Sequence, residues 1–280
     1  VVLAHSLVTA KGASPERYAL FLHGILGTRA NWRGIARRVA EQRPDWGAIL
    51  VDLREHGDSL DLPPPHTIAA CAADVASLVD SLGLPVFGAL GHSFGGKVVL
   101  EWLRSRRGME TAAWIIDSSP SVRTVLQDGS ETAEVLGVLG SLPTEWESRE
   151  SFVAAITSAG LPEPIAQWLA MNLRRTEDGG RRFGPDLGTI RELLVDYAST
   201  DEWPVVESIP EGSSLDFVLG ERSPVVSAED RARLEAIASQ ETRVHVHVVQ
   251  GAGHWVHVDA PESLISLLVD GFASGPGGGT

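Results

Sequence analysis

The chain has 280 residues, a net charge of −14 and one cysteine. The charge excludes nucleic acid and anionic membranes as main partners, and the lone Cys71 excludes an intramolecular disulfide framework. No run of about 18 uninterrupted apolar residues predicts a membrane span.

Leu3 to Val8 reads as an edge strand. Apolar runs follow at Leu20 to Leu22, Ala48 to Val51, Val86 to Leu90, Ala113 to Ile116, Leu215 to Leu219 and Val244 to Val249. Helix-period segments alternate with them: Trp32 to Glu41, Ile68 to Leu82 (with Cys71 as a small core residue), Phe94 to Arg106, Ala228 to Ser239 and Pro261 to Phe272. The alternation predicts an α/β class, a mostly parallel sheet with helices on both faces, built from residues 1–120 and 211–273. Between residues 121 and 210 the pattern breaks, with helical stretches and no convincing strand, which predicts an inserted helical cap. Leu161, Ile165, Trp168 and Leu169 are expected to share a helix face and, with Trp146 and Phe152, to pack the cap; some could line a pocket against the sheet. Residues 274–280, rich in glycine, are expected to be disordered. The opening residues lack the basic and apolar runs of a secretory signal, which points to the cytoplasm; without an initiator methionine a removed leader stays open.

The segment Gly91-His92-Ser93-Phe94-Gly95 has the form Gly-X-Ser-X-Gly between a strand run and a helix run. That context makes it a nucleophile elbow, a strained turn presenting Ser93, with Gly91 and Gly95 letting strand and helix approach closely. The competing reading is a plain strand-to-helix turn in which Ser93 only caps the helix.

A serine hydroxyl needs an adjacent base. His254 fits, in a glycine-containing loop between the last strand and the last helix. His245 and His247 alternate within a strand and share one sheet face, and His5 and His66 lack supporting context. His257 lies near His254, but no carboxylate or thiol set at ligand spacing accompanies the pair, so no metal is expected. Oxyanion donors are expected from the backbone N–H of Phe94, at a helix start, and of Ile25, in the loop His23-Gly24-Ile25-Leu26-Gly27.

Together, His23-Gly24, Asp52-Leu53-Arg54-Glu55-His56-Gly57-Asp58-Ser59, the Ser93 elbow and Gly251-Ala252-Gly253-His254-Trp255 resemble the α/β-hydrolase superfamily. The nearest likeness is to small bacterial serine esterases and related mitochondrial hydrolases. The resemblance implies an α/β-hydrolase fold with a helical cap, and a loop-holding role for His56 and Asp58. It also implies an acid for His254. The usual position, after the strand that follows the cap, is Ser223, which cannot carry charge. The esterase subgroup takes its acid from the earlier strand, here Asp117 in Asp117-Ser118-Ser119-Pro120. Glu221 is the alternative, then Glu229 or Asp230, and Ser223 would be a secondary hydrogen-bond partner of the histidine.

These readings lead to a cofactor-free serine hydrolase of small-molecule carboxylic esters, with thioesters as a second acyl class. Carbon–carbon bond hydrolysis or elimination on the same triad is one alternative, and a small-molecule receptor on a hydrolase fold another. Arg174, Arg175, Arg181 and Arg182, around Gly179-Gly180, could contact a phosphate-bearing leaving group such as coenzyme A or could form a solvated turn. Oligomeric state is not legible.

Overall fold

Short runs rich in branched and aromatic side chains form strands when both their faces are covered. A computed structural model describes residues 2–123 and 131–273; the expected disordered tail at 274–280 lies outside them. The chain first forms β1 (His5–Val8), β2 (Arg17–Leu22), α1 (Arg33–Gln42), β3 (Trp46–Val51), α2 (Ile68–Leu82), β4 (Val86–His92), α3 (Phe94–Leu103) and β5 (Thr111–Ile116). An insertion follows, with α4 (Glu131–Ser141), β6 (Glu145–Trp146), α5 (Arg149–Ser158), α6 (Glu163–Leu169), β7 (Leu173–Arg175), β8 (Arg181–Phe183), α7 (Leu187–Ser199) and α8 (Trp203–Glu207). The chain closes with β9 (Ser213–Gly220), α9 (Ala228–Ala238), β10 (Val244–Val249), α10 (Val256–Asp259) and α11 (Pro261–Ala273).

Seven strands make one sheet in the order β1-β3-β2-β4-β5-β9-β10. The edge strand β1 pairs antiparallel with β3, and every other pair is parallel. Alternate strand residues divide between two apolar layers. Leu20, Leu22, Ile49, Val51, Ala113 and Ile115 pack with α2 and α3, whereas Phe21, Leu50, Trp114 and Ile116 pack with α1 and α11. Cys71 is buried within the first layer. No helix among the described residues is long and apolar enough to cross a membrane.

The insertion departs from the sequence reading in containing strands. β6, β8 and β7 form a small antiparallel sheet. Each is two or three residues long and carries charged side chains, too short and too polar to show a strand period. Leu161 precedes α6 rather than sharing its face. Phe152 is buried against Trp146 and Phe183, with ring centroids 5.3 and 5.9 Å away.

The two stems of the insertion run beside each other. Glu202 N–H donates to the Pro120 carbonyl at 2.9 Å, and Arg123 N–H to that of Ala198 at 2.8 Å. Lys97, on α3 and wholly buried, sends its ammonium to the carbonyls of Ser121, Tyr197 and Thr200 at 2.7–2.8 Å. Burial lowers its pKa to about 8, and these three acceptors take up the charge while it persists.

Candidate active site

Ser93 stands between β4 and α3 with φ 52° and ψ −116°, outside the regions a serine normally occupies. Such strain persists only where the surroundings over-determine it. Here a Cβ on Gly91 would lie 2.1 Å from the Gly95 carbonyl oxygen, so the turn closes only with glycine at 91. Ser93 N–H is tied to the Ile116 carbonyl at 2.9 Å, which couples the turn to the end of β5.

One residue beyond β5 is Asp117, fully buried. Its Oδ2 accepts from His254 Nδ1 at 2.7 Å and from the Ser223 hydroxyl, and its Oδ1 accepts from Gly220 N–H at 3.0 Å. With Nδ1–H donated to the carboxylate, the other ring nitrogen of His254 is left as a proton acceptor. Ser93 and His254 line one cavity of about 60 Å³ together with Gly24, Ile25, Leu26, His92, Trp168 and Trp255.

The other candidate acids lie elsewhere. Glu221 is exposed and accepts from Gly251 N–H at 2.7 Å. Asp230 accepts from the hydroxyls of Ser119 and Ser121 at 2.7 and 2.6 Å. Ser223 meets the acid, not the histidine as expected: its hydroxyl donates to Asp117 Oδ2, the oxygen that His254 Nδ1 also engages.

The loop after β2 is held from several sides. The Gly24 carbonyl accepts from His23 Nδ1 at 2.8 Å and from Gly27 N–H at 2.9 Å. A trans peptide points its N–H opposite its carbonyl, so the Ile25 N–H is turned away from both donors. Neither Ile25 N–H nor Phe94 N–H has a hydrogen-bond partner among the described residues. Gly24 permits the approach to the elbow: a Cβ there would lie 3.0 Å from His92 Nδ1 and 3.5 Å from Ser93 Cβ.

Buried imidazoles fix this loop to its neighbour. His23 Nε2 accepts from Leu53 N–H at 3.0 Å, and His56 Nε2 accepts from Leu26 N–H at 2.9 Å. Burial pushes their pKa values down to about 4 and about 3. His92 donates from Nε2 to the His254 carbonyl at 2.9 Å and is also held neutral by burial. Asp58 pairs with Arg29 at 2.7 Å and with Arg174 at 2.9 Å, joining the loop after β3 to the insertion.

Of the residues expected to pack the insertion, some of them against a pocket, Ile165 and Trp168 line the Ser93 cavity. Trp168 meets Trp255 edge to face at 4.8 Å over it. The four arginines do not converge: in the β7–β8 register Arg174 faces Arg182 and Arg175 faces Arg181, and side chains of adjacent positions take opposite sheet faces. Sequence reasoning missed Lys97, whose burial no local pattern signals, and Asn172, whose partner lies 146 residues away.

A larger cavity, about 560 Å³, opens by the starts of β5, β9 and β10 against α11. It holds Asp216, with His247 Nε2 at 2.9 Å and His245 Nδ1 at 3.3 Å, but neither Ser93 nor His254. No group of three or more His, Cys, Asp or Glu among the described residues is disposed to hold a metal ion.

Comparison with known proteins agrees with this architecture. The chain is 27% identical over 277 residues to the sn-1-specific diacylglycerol lipase ABHD11 of Mus musculus, covering 97% of this chain and 85% of that one. It is 29% identical over 264 residues to esterase YbfF of Escherichia coli, covering 93% and 94%. A solved marine microorganism esterase superposes with a TM-score of 0.78 at 22% identity, covering 96% of this chain and 98% of that one. The model of the alpha/beta hydrolase family matches residues 19–267, from β2 into α11, and on that match the chain belongs to the alpha/beta hydrolase family.

Proposed function

We propose that this protein is a serine hydrolase of carboxylic esters. The observation that carries the reading is the 2.7 Å contact of His254 Nδ1 with buried Asp117, on a ring that lines the same cavity as Ser93. Ser93 attacks the ester carbonyl as His254 takes its proton, and Asp117 holds the imidazole in the required tautomer. The N–H groups of Ile25 and Phe94 receive the oxyanion, the latter at the positive end of α3. His254 then protonates the leaving alcohol and activates the water that releases the acid from Ser93.

Residues 121–210 act as the cap, and Ile165, Trp168 and Trp255 form the apolar wall for the acyl group. At about 60 Å³ the room beside Ser93 is far below that of a site for large ligands, which favours short acyl chains unless the two indoles move. The names of the mouse and Escherichia coli relatives, a lipase and an esterase, support ester substrates. The test is labelling with a fluorophosphonate followed by peptide mapping, beside rates on aryl acetate, butyrate and decanoate. Adduct on Ser93 with fastest turnover of the short esters is expected. An active enzyme that carries no adduct at Ser93 would refute the scheme.

A further inference from the structure

Leu26 is a branched residue in the left-handed region, with φ 57°, and its side chain is buried. Two groups hold it there. Its N–H donates to His56, and its carbonyl accepts from Asn172 Nδ2 at 2.7 Å. Asn172 belongs to the insertion, in the turn Ala170–Asn172 between α6 and β7, and is 4% exposed. It is itself fixed, because its carbonyl accepts from Gly184 N–H at 3.0 Å. Nδ2 also makes a longer contact, 3.4 Å, with the carbonyl of Leu169 at the end of α6, so the amide is oriented with its donors toward both carbonyls.

The consequence follows from peptide planarity. The Leu26 carbonyl and the Gly27 N–H belong to one rigid plane. That N–H donates to the Gly24 carbonyl, which shares the next plane with the Ile25 N–H. Two planes therefore connect the Asn172 amide to the direction in which Ile25 donates. We propose that Asn172 is a positioning residue for the oxyanion loop, so that turnover requires the insertion to be seated. The proposal rests on the reading of Ile25 as an oxyanion donor.

The experiment compares the whole chain with Asn172→Leu, which keeps the bulk and removes the donor. Measured are kcat and KM on p-nitrophenyl butyrate and the inhibition constant of a trifluoromethyl ketone, whose adduct carries the oxyanion. Loss of an oxyanion donor costs about 10²–10³ in kcat, so misaiming one should cost about 10–100-fold. KM should stay within about threefold and the inhibitor should weaken by the same factor as kcat, since only the charged adduct uses the donor. Unchanged kcat, or a rise in KM alone, would overturn the proposal. Asn172→Asp covers a failure of the first variant to fold: its carboxylate repels the Leu26 carbonyl, whereas the protonated form donates. Its kcat relative to wild type should therefore recover as pH falls, and a ratio independent of pH would overturn the proposal. A wild type inert toward esters and unlabelled at Ser93 refutes the hydrolase reading and this proposal with it. An active wild type matched by both variants refutes the proposal alone.

Discussion

Leu26 N–H donates to His56 Nε2 at 2.9 Å, across 30 residues of chain, and Leu53 N–H donates to His23 Nε2 across the same interval. The loop after β2 and the loop after β3 thus each lend the other an imidazole. Both rings donate at Nδ1, to the carbonyls of Arg54 and Gly24, and accept at Nε2. A ring with both jobs must be neutral, because the imidazolium has no acceptor.

Acid should therefore weaken the fold over a defined interval. Unfolded histidine takes up a proton near pH 6.5, whereas His23 and His56 resist until about 4 and about 3. Between those values the unfolded chain binds more protons, so stability falls as pH drops from about 6.5 toward 4. Urea midpoints at pH 7 and 4.5 measure this. His56→Gln should be less stable at pH 7 and lose less on acidification; an equal or steeper loss in the variant contradicts the account.

The choice of acid is open to a direct comparison. Asp117→Asn should lower kcat on an aryl ester by about 10⁴, as tautomer control is lost. Glu221→Gln, whose partner is a backbone N–H in an exposed loop, should stay within about twofold. The reverse pattern would move the charge to Glu221.

Ser223 donates to the same carboxylate oxygen that His254 engages. Ser223→Ala removes a hydrogen bond to a charged acceptor, worth about 1.5–3 kcal/mol. Most of that is expected in orientation: kcat should fall roughly tenfold with KM unchanged. A change in KM alone would show that Ser223 touches substrate instead.

Gly24→Ala tests the approach of the loop after β2, the proposed oxyanion loop, to the elbow. The added carbon meets His92 Nδ1 at 3.0 Å, so the loop must retreat by a few tenths of an ångström. A displacement of that order costs turnover far more than stability, and kcat should drop about 10–100-fold. Thermal unfolding within about 3 °C of wild type is expected beside it, since the substitution removes no buried contact. A large fall in unfolding temperature with kcat preserved would reverse the assignment.

Lys97→Met keeps length and removes three charged hydrogen bonds. The carbonyls of Ser121, Tyr197 and Thr200 lose their donor, and a loss of about 1–3 kcal/mol is expected for each one left buried and unsatisfied. Denaturant unfolding measures it. A neutral outcome would mean that water reaches these carbonyls.

The sheet was legible because its strands are apolar and separated by long helices, and Ser93 and His254 stand at turns marked by glycine. Asp117 could be proposed only through likeness to a subgroup, since a strand-ending carboxylate has no local signature. β6, β7 and β8 were illegible: two or three residues with arginine and glutamate do not show a period. Asn172 and Lys97 act through contacts 146 and about 100 residues away, and a single sequence carries no record of such pairs.

The paired stems make the chain between Arg123 and Tyr197 an exchangeable module. Because the two ends already lie hydrogen-bonded side by side, the core meets the same short gap whatever the length of chain that spans it, and longer spans cost little extra closure entropy. Substrate range could then diverge by replacing that module while the sheet, the elbow and the lysine clasp beneath it stay untouched. A graft from a relative would have to bring its own counterpart of Asn172 to remain active.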